Sequence, residues 1–192
     1  SLCLLDPKTS GSVNFLNPEK QLMESIDNID DDSLKIFRRN IQMIFQDPYE
    51  SLNPRWTIKD IIKEPLDIHN IGNLAEREDT IVEILRTVGL TPPENYLNRY
   101  PHEISGGQRQ RVSIARTLVM KPKFVICDEP TSMLDVSIRI SIMDLMLNLA
   151  KELDVSYLYI THDLAVARYM CNRIAVMSVS YTHLRAHETV DY

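Results

Sequence analysis

Four short stretches of this 192-residue chain hold side chains able to do chemistry. The first is Ile104-Ser105-Gly106-Gly107-Gln108-Arg109-Gln110-Arg111. Ser105 is a helix N-cap candidate, and Val112, Ala115, Leu118 and Val119 follow at helical spacing, so the octet opens a helix. Two glycines in a first turn weaken a helix. What they permit in return is close approach to bare backbone N–H groups. A helix start already offers unpaired donors and the positive end of the dipole, so an anion is the natural guest, with the Ser105 hydroxyl as a further donor. A glycine-softened helix start with an arginine-rich face accounts for the same residues.

The second stretch is the apolar run Phe124-Val125-Ile126-Cys127, which reads as a buried strand ending in Asp128-Glu129-Pro130. Two carboxylates there stand at the strand end where open α/β sheets bind ligands. Ser132-Met133-Leu134-Asp135 follows, then a helix. The third stretch is Thr161-His162-Asp163, at the end of the strand Val155 to Ile160. The fourth is Gln46, at the end of the strand Ile41 to Phe45; an amide can bind a metal through its oxygen without adding charge. Taken singly, each has a plainer reading: helix-start acids, a core histidine, a polar strand end.

Together these residues resemble the nucleotide-binding subunit of an ABC transporter, with signature motif, Walker B, D-loop and switch histidine in family order. The resemblance covers nearly the whole chain up to about Met177. The segment Gln46-Asp47-Pro48-Tyr49-Glu50-Ser51-Leu52-Asn53-Pro54 is most similar to the ATPase subunits of bacterial oligopeptide/dipeptide importers. The resemblance implies an α/β fold: a P-loop NTPase-like ABC ATPase core with a mostly parallel sheet and a helical subdomain carrying the signature. It implies ATP and Mg2+ as ligands. Asp128 would hold Mg2+, Glu129 would polarise the attacking water, and Gln46 would reach both. His162 would contact the γ-phosphate. Ser105, Gly106, Gly107 and Gln108 would bind the γ-phosphate of ATP held by a neighbouring subunit, and Asp135 would bridge the two. The implied partners are a second ATP-binding subunit and transmembrane permease subunits, touched by the loop after Gln46. The implied location is peripheral, on the cytoplasmic face of the cell membrane.

The elements that must position these groups follow from the rest of the chain. At 192 residues and 44% hydrophobic, one sizeable core is expected. A net charge of −6 argues against a general nucleic-acid surface, and no nucleic-acid partner is expected. Cys3, Cys127 and Cys171 show no CxxC or metal spacing, as suits free thiols in a reducing compartment. No apolar run reaches the ~18 residues of a membrane helix. Ser12 to Phe15 reads as a strand and residues 17–33 as a solvated acidic loop, with Ser33 capping a short helix through Arg39. Thr57 to Glu64 reads as a helix stopped by Pro65, and Ala75 to Val88 as a helix with Ile81, Ile84 and Leu85 inward and Gly89 as its stop. Residues 57–120 thus form a mostly helical insert. Val136 to Leu153 is helical, Val155 to Ile160 a strand buried and β-branched enough to sit centrally, Leu164 to Met170 a short helix, and Arg173 to Met177 a last strand. The alternation of strands and helices is the α/β pattern.

The expected domain is residues 1–177. No GxxxxGK[ST] phosphate loop occurs in the sequence, and the expectation is that the chain begins within or just after the helix such a loop would open. Residues 178–192 depart from the family pattern and are expected to lie outside the domain. His183 and His187 there could share a helix face, but two ligands do not make a zinc site. Two other functions fit parts of the pattern. One is an ABC-type ATPase of DNA repair or translation, although no long heptad run and no second such domain are visible. The other is an inactive fragment that only contacts other subunits.

Overall fold

The computed structural model describes residues 11–177 and the pair Ala186–His187. Its centre is a parallel sheet in the order β3 (Ile41–Ile44), β4 (Phe124–Asp128), β5 (Ser156–Ile160). Ile44 pairs with Cys127, and Asp128 with Ile160, so the C-terminal ends of all three strands come out at one edge. Side chains alternate across the pleat. Ile44, Val125 and Cys127 are fully buried on one face, joined there by Tyr157 and Tyr159. On the other face of β5, Leu158 and Ile160 stay partly exposed. The expectation that this strand sits centrally is therefore corrected: among the described residues β5 pairs only with β4, and its burial alternates along its length.

Helices cover the buried face. α6 (Gly106–Leu118) runs through the core, with Val112, Ile114, Ala115 and Leu118 at 1% exposure or less. α7 (Val136–Glu152) adds Ile142, Met143, Met146 and Leu149. α4 (Leu74–Thr87), capped by a reciprocal Asn73–Glu76 box, turns Ile81, Ile84 and Leu85 inward and stops at Gly89, whose φ of +75° suits glycine. α3 (Ile58–Ile68) starts at a Thr57–Asp60 capping box but does not stop at Pro65, which lies inside it. An interior proline costs about 3 kcal/mol. Burial of Ile58, Ile61, Ile62 and Leu66, each worth about 1.5–3 kcal/mol, outweighs that penalty and carries the helix through.

The N-terminal part departs from the sequence reading. The strand is Asn14–Asn17 (β1), and the acidic loop contains a second strand, Leu22–Ser25 (β2), paired antiparallel with it. Leu22 and Met23 are exposed, so no buried alternation marks this strand in the sequence. It is held instead by polar contacts: Lys20 Nζ reaches Glu24, Asp30 and the Ser33 hydroxyl. α1 (Asp31–Asn40) is capped by Asp30, which accepts from Ser33 N at 2.7 Å, so Ser33 is not the cap but the buried third residue of the helix. Phe15 meets Phe37 edge-on beneath the hairpin, in a second small core with Ile26.

Two short helices, α2 (Pro48–Ser51) and α5 (Glu94–Leu97), flank the loops around the site. After β5, α8 (Leu164–Met170) leads to β6 (Ile174–Ala175), which pairs with β7 (Ala186–His187). His183 lies outside the described residues, and His187 is in a strand, not on a helix face. No helix among the described residues is long and apolar enough to cross a membrane.

Candidate functional site at the strand ends

The three strand ends bring Gln46, Glu129 and His162 into one hydrogen-bonded row. Gln46 Nε2 donates to Glu129 Oε2 at 3.3 Å, and His162 Nδ1 lies 2.5 Å from Glu129 Oε1. The residues come from positions 83 and 33 apart in sequence, so only the sheet register aligns them. Glu129 is fixed from its backbone as well: its N–H donates to Ile160 O, and its carbonyl accepts from Ser132 N and Ser132 Oγ. Its φ is +43°, a left-handed conformation that costs a non-glycine residue of order 1–3 kcal/mol and is retained where the surroundings over-determine it. The hydrogen bond to Glu129, then the carboxylate's charge, raises the His162 pKa above the ordinary histidine value. The His162 side chain is largely exposed, whereas that of Glu129 is only 20% exposed.

Asp128 ends β4, beside Glu129 and near Gln46. Asp128 and Gln46 line a cavity of about 440 Å³ together with Phe45, Asp47, Glu50 and Ser51. No group of three His, Cys, Asp or Glu among the described residues is arranged to hold a metal. One carboxylate and one amide oxygen suit Mg2+, which takes few protein ligands and fills its octahedron with water and phosphate oxygens.

The signature residues form a separate unit. Ser105 Oγ accepts from Gln108 N, and Gln108 Oε1 accepts from Ser105 N at 3.0 Å. The N–H groups of Gly106 and Gly107 precede any intrahelical partner; Ser105 is exposed, Gly106 half-buried and Gly107 buried against α7. Gln108 Nε2 also reaches Tyr96 Oη. Among the described residues, no hydrogen bond links this group to Gln46, Asp128, Glu129 or His162. The two glycines differ. A Cβ on Gly106 would meet nothing closer than Leu134 at 3.8 Å, whereas one on Gly107 would lie 2.6 Å from Ile138 Cγ2. Gly107 is thus required by the packing of α6 against α7, a reason the sequence alone does not display.

Asp135 is exposed at the start of α7 and makes no capping bond with its side chain. Sequence reasoning missed Arg139, one turn further on. Its Nη2 donates to Ser132 O and Leu134 O, and its Nη1 lies 3.9 Å from Asp163 Oδ2. It ties the loop before α7 to the residue beside His162. A basic residue at that helical position has no signal of its own in one sequence.

The comparisons agree with this geometry. A family model described as ABC transporter matches residues 1–132. The oligopeptide transport ATP-binding protein AppF of Bacillus subtilis (strain 168) is 49% identical over 155 residues, covering 80% of this chain and 46% of AppF. The dipeptide transport ATP-binding protein DppF of Lactococcus lactis subsp. cremoris (strain MG1363) is 47% identical over 167 residues, covering 85% and 53% respectively. The chain spans about half the length of these curated relatives. Among solved structures, the ATP-binding cassette MJ0796, in a dimeric post-hydrolysis state bound to ADP and Pi, superposes with a TM-score of 0.72 at 34% identity, covering 91% of this chain and 71% of that one. Sheet order, site and relatives lead to one conclusion: the chain belongs to the ABC transporter family.

Proposed function

We propose that the protein is the ATP-hydrolysing subunit of an importer for peptides or a related small solute. The observation that carries this reading is Glu129, held between Gln46 and His162 at the strand ends. Phosphoryl transfer to water needs little covalent help: it needs placed phosphates, a metal and an oriented water. Asp128 and the Gln46 oxygen would hold Mg2+, which would neutralise phosphate charge when bound. Glu129 accepts the proton of the attacking water as the water oxygen bonds to the γ-phosphorus. The bond to the leaving ADP oxygen breaks, and ADP and inorganic phosphate result. His162, its proton affinity raised by Glu129, steadies that carboxylate and the phosphate beside it. Ser105, Gly106, Gly107 and Gln108 serve the γ-phosphate on a second ATP-binding subunit, with residues 57–120 as the arm that carries them there and Asp135 at the contact. Transmembrane permease subunits dock near the loop that follows Gln46, placing the protein peripherally on the cytoplasmic face of the membrane. The relatives' roles in oligopeptide and dipeptide transport support the solute class.

The test is Glu129→Gln in the full-length protein assembled with its permease subunits. The amide keeps the size but cannot accept a proton, so ATP turnover is expected to fall about 100-fold or more. ATP-dependent association of the two ATP-binding subunits is expected to persist. Unchanged turnover would falsify the assignment.

A further inference from the structure

Arg109 follows the signature glutamine and is only 6% exposed, yet no carboxylate among the described residues pairs with it. Its neighbour on the same helix face, Arg116, is paired with Glu64 at 2.8 Å. A buried cation without a counterion is costly unless its surroundings supply compensating dipoles. They do so here from two separate segments. Arg109 Nη1 donates to the carbonyls of Pro101 at 2.8 Å and Ile104 at 2.6 Å, in the loop ahead of the signature. Arg109 Nη2 donates to the Tyr49 hydroxyl, and the guanidinium lies 3.8 Å from the centroid of the Tyr49 ring. Tyr49 sits in α2, three residues after Gln46, and Asp47 Oδ1 fixes it there by accepting from its N–H at 2.7 Å. Arg116 Nη1 holds the other end of α2 through Ser51 O.

We propose that Arg109 is a positioning residue: a planar cationic strut that locks the loop after Gln46 to the loop that opens the signature helix, so that the two move as one body. A guanidinium suits the task because Nη1 reaches two carbonyls while Nη2 meets the Tyr49 hydroxyl and the planar face stacks on that ring. Tyr49 is 62% exposed, so it closes over the strut from outside and is the accessible end at which to test it. The structural link stands on the contacts alone; its consequence for turnover rests on the ATPase reading above.

The test uses the full-length protein and amide hydrogen exchange without nucleotide, which needs no activity. Tyr49→Ala removes ring and hydroxyl at an exposed position. It is expected to accelerate exchange about 10-fold in both segments, 46–52 and 101–105, on the scale of a coupling between sites. Tyr49→Phe keeps the face for stacking and is expected to stay within about 3-fold of the wild type. Arg109→Lys keeps the charge but not the second nitrogen and planar face that meet Tyr49, and is expected to loosen both segments as Tyr49→Ala does. In the assembled transporter, Tyr49→Ala is expected to lower kcat about 5- to 30-fold with little change in KM for ATP, and Tyr49→Phe to restore most of it. Acceleration confined to 46–52 in Tyr49→Ala, wild-type exchange in Arg109→Lys, or an unchanged kcat in an active protein whose loops have loosened would each overturn the strut. A wild-type protein with no turnover would instead count against the ATPase reading, leaving the exchange result to stand or fall by itself.

Discussion

The strand-end row and the start of α6 are both proposed to meet a phosphate, yet they are built in opposite ways. Gln46, Glu129 and His162 are far apart in sequence, meet only through the sheet, and bond to one another. Ser105 and Gln108 are three residues apart, and one capping box arranges them. The first row concentrates charge, a raised histidine pKa and a left-handed Glu129. The second is uncharged and offers donors that precede the first helical hydrogen bond. A site made by long-range register can hold tension, because the sheet around it is rigid. A site made by a local cap holds none, and can be carried on an arm to a ligand bound elsewhere.

The largest effect that separates the two is Gly106→Asp. A carboxylate at the first helical position is compatible with the dipole and, at 3.8 Å from Leu134, with the space available. It would confront the γ-phosphate only in the closed assembly, at several kcal/mol for juxtaposed like charges. ATP binding by the isolated subunit should hold while turnover of the assembled transporter falls about 100-fold or more. Loss of binding in the isolated subunit would put the signature beside the chain's own nucleotide and erase the contrast. The same substitution at Gly107 cannot make this distinction, because Ile138 already fills the place of any Cβ there. Gly107→Ala is instead a packing test. It should destabilise by about 1–3 kcal/mol in denaturant unfolding, whereas Gly106→Ala should be neutral or slightly stabilising. Equal behaviour of the two would mean that α6 and α7 do not pack as described. Smaller still is Ser105→Ala, which removes the cap and should cost about 1 kcal/mol of folding stability; a transport defect well beyond that loss would mark the hydroxyl as a ligand.

What was legible in the sequence follows this same division. The cap at Ser105, the inward stripe of α4 and its stop at Gly89 depend on neighbours three or four residues away, and they stand where the spacing puts them. The buried run of β4 places Asp128 and Glu129 at a strand end. Hidden were features decided by distant partners. β2 shows no apolar alternation because Lys20 and its carboxylates hold it. α3 passes through Pro65 because the core rewards Leu66 beyond it. Apolar residues on both sides of β5 make it look like a central strand, although Leu158 and Ile160 stay exposed and only the face of Tyr157 and Tyr159 is covered. Arg109 on Tyr49 and Arg139 on Asp163 join segments that no spacing rule connects.

The smallest and most local prediction concerns the proton on His162. Its pKa is raised above 6.5 chiefly by the hydrogen bond to Glu129 and by that carboxylate's charge, opposed by desolvation and by Arg139, with Asp163 adding to the rise. A histidine whose folded pKa is raised contributes stability that is fully present below its unfolded pKa and is lost as pH rises through the folded one. The stability gap between the wild type and His162→Gln should therefore be widest on the acidic side of 6.5 and close as the imidazolium deprotonates. NMR titration of the ring protons over about pH 5 to 8 reads the midpoint directly. The wild-type midpoint should lie above 6.5, and Glu129→Gln should bring it down, because a neutral amide leaves desolvation and Arg139, which lower it, against Asp163 alone, which raises it. A midpoint that Glu129→Gln does not move would mean that the strand-end row is not charge-coupled. The two proposed phosphate sites would then differ only in how far apart in sequence their residues lie.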